Sequence, residues 1–341
     1  MLANAASIFC LKRLEISKYD CLKEPCRTKY NELIGGIIMN NIIYLGVDNG
    51  NAYTKSSEGF SYQSGYTKLD VEPIVRQNLI IYQGMYYSIG NSRLSVQLDK
   101  TINKDAFILS LPAIAHAINQ EGAVGKTDVF LGVGLPIIHF GKMKEKFRKY
   151  FLQDNVEFNY MGKDYLISIK DCKVYPQGYA AFINIFKDYK EVSLANVVDI
   201  GGYTTDFFKI ENGLINTSSC YSLPNGVITL FASIQQELLK MNINLTEKQI
   251  QDVILGRQPV LFDADINKMI EMQAMEYVEN LLAKILEYGF EFRNPTIIVG
   301  GGGIMLRRYI ESSNKIKYIE NLDQYANARG YKILLQQELS R

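Results

Sequence analysis

The sequence has few of the residues that build metal sites or nucleophilic triads. Only two histidines occur among its 341 residues, His116 and His139. A histidine metal site or a Ser-His-Asp triad is therefore not expected, and we interpret each histidine as a packing or surface residue. The five cysteines form no CxxC pair, and three of them lie in residues 1–38. This usage argues against a disulfide framework and a cysteine zinc site, and it suits a reducing cytoplasm.

An excess of charge of one sign and long apolar runs are missing as well. The chain has 37 basic and 36 acidic residues, a net charge of +1, and its basic residues are scattered rather than gathered in a stripe. Direct binding to nucleic acid is therefore not predicted. The longest apolar stretches have the length of a strand, so no membrane-spanning segment is predicted. With 47% hydrophobic residues, the chain can bury a substantial core, and its length suits two domains.

Residues 1–38 differ in character from the rest of the chain. They lack a sustained period, and charged residues interrupt the apolar core that a secretory signal needs. The segment Ile34-Gly35-Gly36 can be encoded by a purine-rich ribosome-binding sequence, and it stands just before Met39. We expect Met39 to be the natural start and residues 1–38 to be translated leader. The alternative is a genuine N-terminal extension, and an intact-mass measurement of the native protein distinguishes the two.

A polar segment between two apolar runs, residues 197–206 (VVDIGGYTTD), is the first feature that indicates chemistry. We interpret it as a β-hairpin whose tip presents backbone N–H groups, because glycines let a backbone approach an anion and threonine hydroxyls add donors. Asp199 faces the same spot, and a carboxylate beside an anion needs a cation between them. The pattern predicts nucleotide phosphate with a divalent metal. The alternative is an ordinary hairpin with a polar turn.

The same device occurs earlier in the chain. A buried-type strand at residues 42–47 runs into residues 48–55 (DNGNAYTK). Asp48 then corresponds to Asp199, and Lys55 corresponds to Asp206; in each pair the two positions are 151 residues apart. Such a repeat predicts two related halves that face each other.

Further segments complete the pattern. Gln177 lies where a strand turns into a helix, and by itself it reads as a solvated amide. Four glycines, residues 300–303, follow a buried strand and precede a helix, which provides a place for a phosphate or a flat ring; a plain tight turn is the alternative. The segment 125–127 (GKT) is not a P-loop, because Gln120 stands where that motif needs glycine. The periodicity also predicts strands at 79–82, 85–89, 129–136 and 296–299, and helices at 105–118, 141–152 and 267–290.

In their order along the chain, residues 48–55, Gln177, residues 199–206 and residues 300–303 resemble four motifs of the actin, Hsp70 and sugar-kinase ATPase superfamily: phosphate 1, connect 1, phosphate 2 and adenosine. Two more segments, 132–136 (GVGLP) and 326–331 (ANARGY), look like the plasmid-segregation actins of the ParM/StbA group. The resemblance covers residues 40–341.

The resemblance implies an α/β, actin-like fold with two RNase H-like domains around a nucleotide-binding cleft. We expect the first domain to comprise residues 39–196 plus 320–341 and the second to comprise residues 197–319. The implied site has Asp48 and Asp199 holding Mg²⁺, largely through waters, and Lys55 reaching the β- and γ-phosphates. Gln177 would orient the attacking water, where the prototype plasmid member has Glu, so Gln177 and Asp199 are the catalytic candidates. The remaining nucleotide-binding candidates are, for the phosphates, Gly50, Asn51, Gly201, Gly202 and Thr204, and, for the adenosine, Gly301 and Gly302.

The function implied by the resemblance is that of a filament-forming ATPase. It would polymerise with Mg-ATP, with GTP as a possible substitute, and segregate plasmid DNA through a DNA-binding adaptor protein of ParR type. Its expected location is the bacterial cytoplasm, with a plasmid gene as its source. One alternative is a small-molecule, sugar-type kinase of the same superfamily, although about 300 residues leave little room for a larger substrate domain. A chaperone-like binder and a membrane-bound scaffold are further alternatives.

Overall fold

The structure is a computed structural model that describes residues 41–257, apart from residues 91, 96 and 98, and residues 263–340. The expectations about Met39 and residues 1–38 lie outside the described residues. In the described part the chain forms fourteen strands and nine helices arranged around two sheets. None of these helices is long and apolar enough to cross a membrane.

The first sheet contains nine strands in the order β3-β2-β1-β7-β9-β8-β5-β6-β4. In chain order they are β1 (Asn41–Asn49), β2 (Tyr53–Ser56), β3 (Ser61–Gln63), β4 (Tyr66–Leu69), β5 (Leu79–Tyr82), β6 (Met85–Ile89), β7 (Thr127–Leu135), β8 (Val156–Tyr160) and β9 (Lys163–Pro176). The predicted strands at 79–82 and 85–89 are confirmed as β5 and β6.

The second sheet contains five strands in the order β12-β11-β10-β13-β14. They are β10 (Leu194–Ile200), β11 (Thr205–Glu211), β12 (Leu214–Leu223), β13 (Thr296–Val299) and β14 (Ile319–Asn321). The predicted boundaries of the second domain, at residues 197 and 319, fall inside β10 and β14. The division of the chain into two domains otherwise stays a prediction.

The two sheets repeat one topology. In each, three antiparallel strands (β3-β2-β1 and β12-β11-β10) are followed by two parallel ones (β7-β9 and β13-β14). The hairpin registers also correspond, since Asp48 pairs with Lys55 and Asp199 pairs with Asp206. The repeat that two short motifs predicted is therefore present in the strands that carry them.

The described residues also form nine helices around these sheets. They are α1 (Asp105–Gln120), α2 (Ile137–Phe151), α3 (Tyr179–Ile183), α4 (Phe186–Tyr189), α5 (Val227–Lys240), α6 (Glu247–Ile254), α7 (Ala264–Glu287), α8 (Gly300–Ser312) and α9 (Ala326–Leu339). The predicted helices correspond to α1, α2 and α7, and Pro112 lies inside α1 without ending it. One expectation is wrong: residues 300–303 do not precede the helix but form its first turn, because α8 already begins at Gly300.

Helices α3 and α9 connect the halves. Phe182 of α3 belongs to the same buried cluster as Val197 and Phe208 of the second sheet. Helix α9 instead packs on the first sheet, where the ring of Tyr331 stacks on Tyr175. Helix α3 thus follows the first sheet and packs on the second, whereas α9 follows the second sheet and packs on the first. Both helices therefore contact both halves of the molecule.

Glycines of the first sheet make room for α9. A Cβ atom at Gly46 would lie 1.9 Å from the carbonyl oxygen of Ala328, and one at Gly134 would lie 1.9 Å from the hydroxyl oxygen of Tyr331. No side chain fits at such a distance. The two segments that resembled plasmid-segregation actins, 132–136 and 326–331, therefore pack against each other. Gly132 and Gly134 of one segment leave the space that Tyr331 of the other segment fills.

Candidate functional site

Asp48 and Lys55 stand side by side on the first hairpin. The Nζ atom of Lys55 lies 3.7 Å from Oδ2 of Asp48, and both residues are buried. Gln177, between β9 and α3, donates a hydrogen bond from its amide nitrogen to the other carboxylate oxygen of Asp48, at 2.9 Å. The structure thus brings together three of the predicted site residues.

Asp199 occupies the equivalent place on the second hairpin. Its carboxylate is 8% exposed and accepts a hydrogen bond of 2.9 Å from the side chain of Asn327. Burial raises the pKa of Asp199 to about 7; the bond from Asn327 opposes this, Asp206 and Asp48 raise it further, and Lys55 lowers it. The two motifs face each other across the start of α8, because a Cβ atom at Gly300 would lie 2.5 Å from the carboxylate of Asp199 and one at the next residue, Gly301, would lie 4.0 Å from Nζ of Lys55.

The tips of the two hairpins touch. A Cβ atom at Gly202 would lie 2.7 Å from the Cβ atom of Ala52, so the turns meet with no room for a larger residue. The second turn is closed by a hydrogen bond of 2.9 Å from the N–H of Gly201 to the carbonyl oxygen of Thr204. The hydroxyl of Thr204 donates to the carboxylate of Asp206 at 3.1 Å. That hydroxyl, predicted to help cradle phosphate, is thus already engaged within the protein.

The first turn borders a small cavity. Gly50 and Asn51 line a space of about 40 Å³, together with Lys100 from the segment before α1. Ser64 supports the turn from below, because its hydroxyl donates to the carbonyl oxygen of Gly50 and its N–H donates to the carbonyl oxygen of Ala52. The predicted phosphate-binding residues of this turn therefore lie beside a cationic side chain.

The glycines that open α8 differ in their surroundings. Gly300 has a φ angle of +89°, and a Cβ atom there would lie 2.5 Å from the carboxylate of Asp199, so only glycine fits. A Cβ atom at Gly302 would meet Ile200 and Val227 at 2.6 to 2.7 Å, which places this glycine against the protein's own β10 and α5. At Gly301 the nearest atom is Nζ of Lys55, at 4.0 Å. Gly301 is thus the predicted adenosine-binding glycine that faces the space near Lys55.

Sequence reasoning missed two polar residues of the site. The sequence marks Asn327 only as part of the segment 326–331, although its side chain contacts Asp199. Lys100 donates a hydrogen bond to the carbonyl oxygen of Asn49; burial lowers the pKa of Lys100 to about 8, and Asp48 opposes that change. No motif surrounds Lys100, so no signal in the sequence marks it.

The carboxylates of Asp48 and Asp199 are suited to bind a cation that also binds the phosphates of a ligand. Among the described residues no group of three or more His, Cys, Asp or Glu side chains could hold a metal. Mg²⁺, however, keeps several waters and is commonly bound by one or two carboxylates together with substrate phosphates. Asp48 and Asp199 provide such a pair, and the raised pKa of Asp199 reflects burial and unbalanced negative charge that a cation would relieve.

An ion pair links the two halves away from the carboxylates. Arg93, between β6 and α1, donates from both terminal nitrogens to the two carboxylate oxygens of Glu247, at 2.9 and 2.5 Å. Glu247 opens α6, whose first turn is closed by a capping box between Thr246 and Gln249. Bidentate pairing of this kind fixes orientation as well as distance.

Comparisons with known proteins agree with this geometry. Residues 46–179 match the family model of the N-terminal domain of actin-like proteins, and residues 197–312 match that of the C-terminal domain of the archaeal, MreB-like actin homologue. No curated protein matches the chain.

Several solved structures are similar in fold. ParM of Bacillus thuringiensis with ATP has a TM-score of 0.67 at 16% identity, covering 89% of this chain and 100% of ParM. The apo ParM protein of psk41 gives 0.66 at 18% identity, with coverage of 89% and 100%. Ta0583, an archaeal actin homologue, gives 0.65 at 19% identity, covering 87% of this chain and 99% of its own. The predicted actin-like fold is thereby confirmed, and both family models bear out the resemblance to actin-like proteins that the motifs indicated.

Proposed function

We propose that this chain is an ATPase that binds Mg-ATP between its two halves and assembles into filaments. The observation that carries the proposal is the convergence of Asp48, Lys55 and Gln177 from one half with Asp199 from the other. Solved relatives support a nucleotide ligand, since ParM of Bacillus thuringiensis is described with ATP, AMPPNP and ADP and Ta0583 with ADP.

Each side of the site takes a distinct part in the proposed reaction. Lys55 supplies positive charge to the β- and γ-phosphates, and the turn residues supply backbone donors. These turn residues are Gly50, Asn51, Gly202 and Thr204, whereas the N–H of Gly201 closes the second turn on the carbonyl oxygen of Thr204. Asp48 and Asp199 hold Mg²⁺, which neutralises phosphate charge. Gly301 leaves space for the adenosine, while Gly302 lets α8 approach β10 closely.

Gln177 is the proposed water-orienting residue. Its hydrogen bond to Asp48 fixes the amide next to the carboxylate pair. An amide cannot act as a strong base, so its contribution is to hold the attacking water in line with the phosphate. Small movements between the halves would change that alignment, which makes hydrolysis slow in the monomer and faster once a filament holds the halves closed.

The proposed cellular role is plasmid segregation. Filaments that form with ATP and weaken after hydrolysis can move DNA if an adaptor of ParR type attaches their ends to a plasmid. The near-neutral net charge of +1 supports attachment through an adaptor rather than direct DNA binding.

Sedimentation and light scattering with Mg-ATP, compared with Mg-ADP, test this proposal. We expect a polymer with ATP that disassembles as phosphate is released. Absence of polymer at every salt concentration would argue against a filament protein. Transfer of phosphate to sugars in a coupled assay would favour the alternative, a small-molecule kinase of the same superfamily.

Gln177→Ala should preserve ATP binding and polymerisation but slow hydrolysis by roughly 100-fold, because the water loses its orienting partner. Filaments of this variant should therefore persist longer. Phosphate release and filament lifetime, measured on the same sample, check both effects. Hydrolysis at the rate of the unmodified protein would show that Gln177 does not position the water.

Charge reversal at the Arg93–Glu247 pair should speed the release of bound nucleotide. Arg93→Glu and Glu247→Arg each place like charges together, and for a partly buried pair we expect release roughly fivefold faster, or about 1 kcal/mol. Combining both reversals should restore the original rate. Stopped-flow release of a fluorescent ADP measures this.

Lys248→Glu is the matched control for that experiment, because Lys248 pairs with Asp252 inside α6 and does not link the halves. It should leave the release rate unchanged. A double reversal that releases nucleotide as fast as the single variants would contradict a link across the cleft.

A further inference from the structure

One buried side chain joins the two parts of the site. Asn327, which is 6% exposed, donates from its amide nitrogen to the carboxylate of Asp199 at 2.9 Å. Its amide oxygen accepts the backbone N–H of Gly178 at 2.8 Å, and Gly178 directly follows Gln177. Both ends of the Asn327 amide are therefore in use, one on each half of the molecule.

The place of Asn327 in the fold makes this contact rigid. It is the second residue of α9, which is seated on the first sheet by the close approach of Ala328 to Gly46. Gly178 has a φ angle of +72° and packs against Phe208 of the second sheet. Asn327 is thus seated on the first sheet. It bonds Asp199 of the second sheet and also Gly178, which follows the last strand of the first sheet and packs against the second.

We propose that Asn327 is a positioning residue, which sets the Asp199 carboxylate and the Gln177–Gly178 turn in one fixed frame. This rests on the function proposed above. Asp199 is buried among like charges and needs a donor to define its rotamer. The turn at Gly178 needs an acceptor for its N–H. Because one amide supplies both, a shift of either partner is passed to the other.

The chain offers a matched control. Asn184 also bridges α3 and α9, since its amide nitrogen donates to the carbonyl oxygens of Ala181 and Ala326, each at 2.8 Å. These bonds join the same two helices without involving Asp199 or the turn at Gly178. Asn184→Ala therefore measures how much thermal stability and activity are lost when a hydrogen-bonded link between the two helices is removed without a change at Asp199 or Gly178.

The experiment compares Asn327→Ala, Asn327→Asp and Asn184→Ala. Asn327→Asp has nearly the same shape and keeps an acceptor for Gly178, but it turns a carboxylate toward Asp199. The readouts are the thermal midpoint, the affinity for fluorescent ADP with and without Mg²⁺, and kcat and KM for ATP. The unmodified protein should bind ADP more tightly with Mg²⁺.

We expect both alanine variants to lose similar thermal stability. Asn327→Ala should lose most of the Mg²⁺-dependent gain in ADP affinity and roughly 100-fold in kcat, and its KM for Mg-ATP should rise, whereas metal-free ADP binding should change little. Asn327→Asp should lose at least as much of the gain. Asn184→Ala should keep both the gain and kcat.

Two results would overturn the inference in different ways. If Asn327→Ala keeps the Mg²⁺ effect and a kcat within twofold of Asn184→Ala, Asn327 is merely structural. If the unmodified protein binds no nucleotide, the proposed function fails and the role of Asn327 fails with it.

Discussion

Asp199→Asn is expected to abolish Mg²⁺-dependent nucleotide binding and, at the same time, to stabilise the nucleotide-free protein. The first effect follows from the loss of one of two carboxylates that would hold the metal. The second follows from burial, which raises the pKa of Asp199 to about 7. An asparagine of the same shape can still accept the hydrogen bond from Asn327, and it carries no charge to bury.

The stabilisation depends on pH in a defined direction. Below about pH 3 the Asp199 carboxyl is protonated in both the folded and the unfolded chain, so its ionisation does not change the free energy of unfolding. Between about pH 4 and 7 the folded protein keeps a proton that the unfolded chain has released, and stability falls as pH rises. A pKa raised from 3.8 to about 7 corresponds to on the order of 4 kcal/mol once the group is ionised.

Urea unfolding of the nucleotide-free protein between pH 4 and 8 measures this effect. The advantage of Asp199→Asn should be small at pH 4 and reach its full size, up to a few kcal/mol, above pH 7. Asp99→Asn serves as a control of opposite sign, because hydrogen bonds from Lys146 and Thr101 lower the pKa of Asp99 to about 2. That variant should be less stable than the unmodified protein at neutral pH. If the free energy of unfolding has the same pH dependence in Asp199→Asn and in the unmodified protein, Asp199 is not a carboxylate that is ionised while buried.

Much of this site could be predicted from short motifs because both hairpins are local structures. The spacing from Asp48 to Lys55 and from Asp199 to Asp206 fixes the register of each hairpin, and an apolar run before each aspartate fixes which strand is buried. Two copies of one device then imply two copies of one sheet. Gln177 was identified by its place between the copies rather than by its own surroundings.

Other parts could not be predicted because they depend on packing between distant segments. Asn327 reaches Asp199 across 128 residues of sequence, and Lys100 reaches Asn49 across 51. No local pattern encodes such a contact. The start of α8 at Gly300 was also missed, since glycine is a poor helix former and four in a row favour a loop. Close packing of these glycines on Ile200 and Ile298 outweighs that propensity.

Gly330→Ala is expected to destabilise the fold although alanine favours helices. A Cβ atom at this position of α9 would lie 1.8 Å from the backbone carbonyl oxygen of Ala180. No side chain can rotate to relieve that clash, so α3 and α9 must separate, and the hydrogen bonds of Asn184 and Asn327 weaken. Overpacking costs of about 3 kcal/mol or more outweigh a helix-propensity gain of about 1 kcal/mol. Urea unfolding should therefore show a loss of roughly 2 kcal/mol or more.

Gly301→Ala makes the same chemical change in another helix, α8. It should leave the stability of the fold unchanged and weaken nucleotide binding. Among the described residues its Cβ atom would meet only Nζ of Lys55, at 4.0 Å, so the protein should unfold at the same urea concentration as before or at a slightly higher one. The added methyl group projects into the space that the proposed nucleotide occupies, and we expect about tenfold weaker ADP binding, or about 1.4 kcal/mol. Undiminished stability in Gly330→Ala would refute the close helix crossing, whereas undiminished ADP binding in Gly301→Ala would refute the placement of the nucleotide. Glycine-to-alanine substitutions thus test both the close contact between α3 and α9, through the free energy of unfolding, and the nucleotide-binding cleft, through the affinity for ADP.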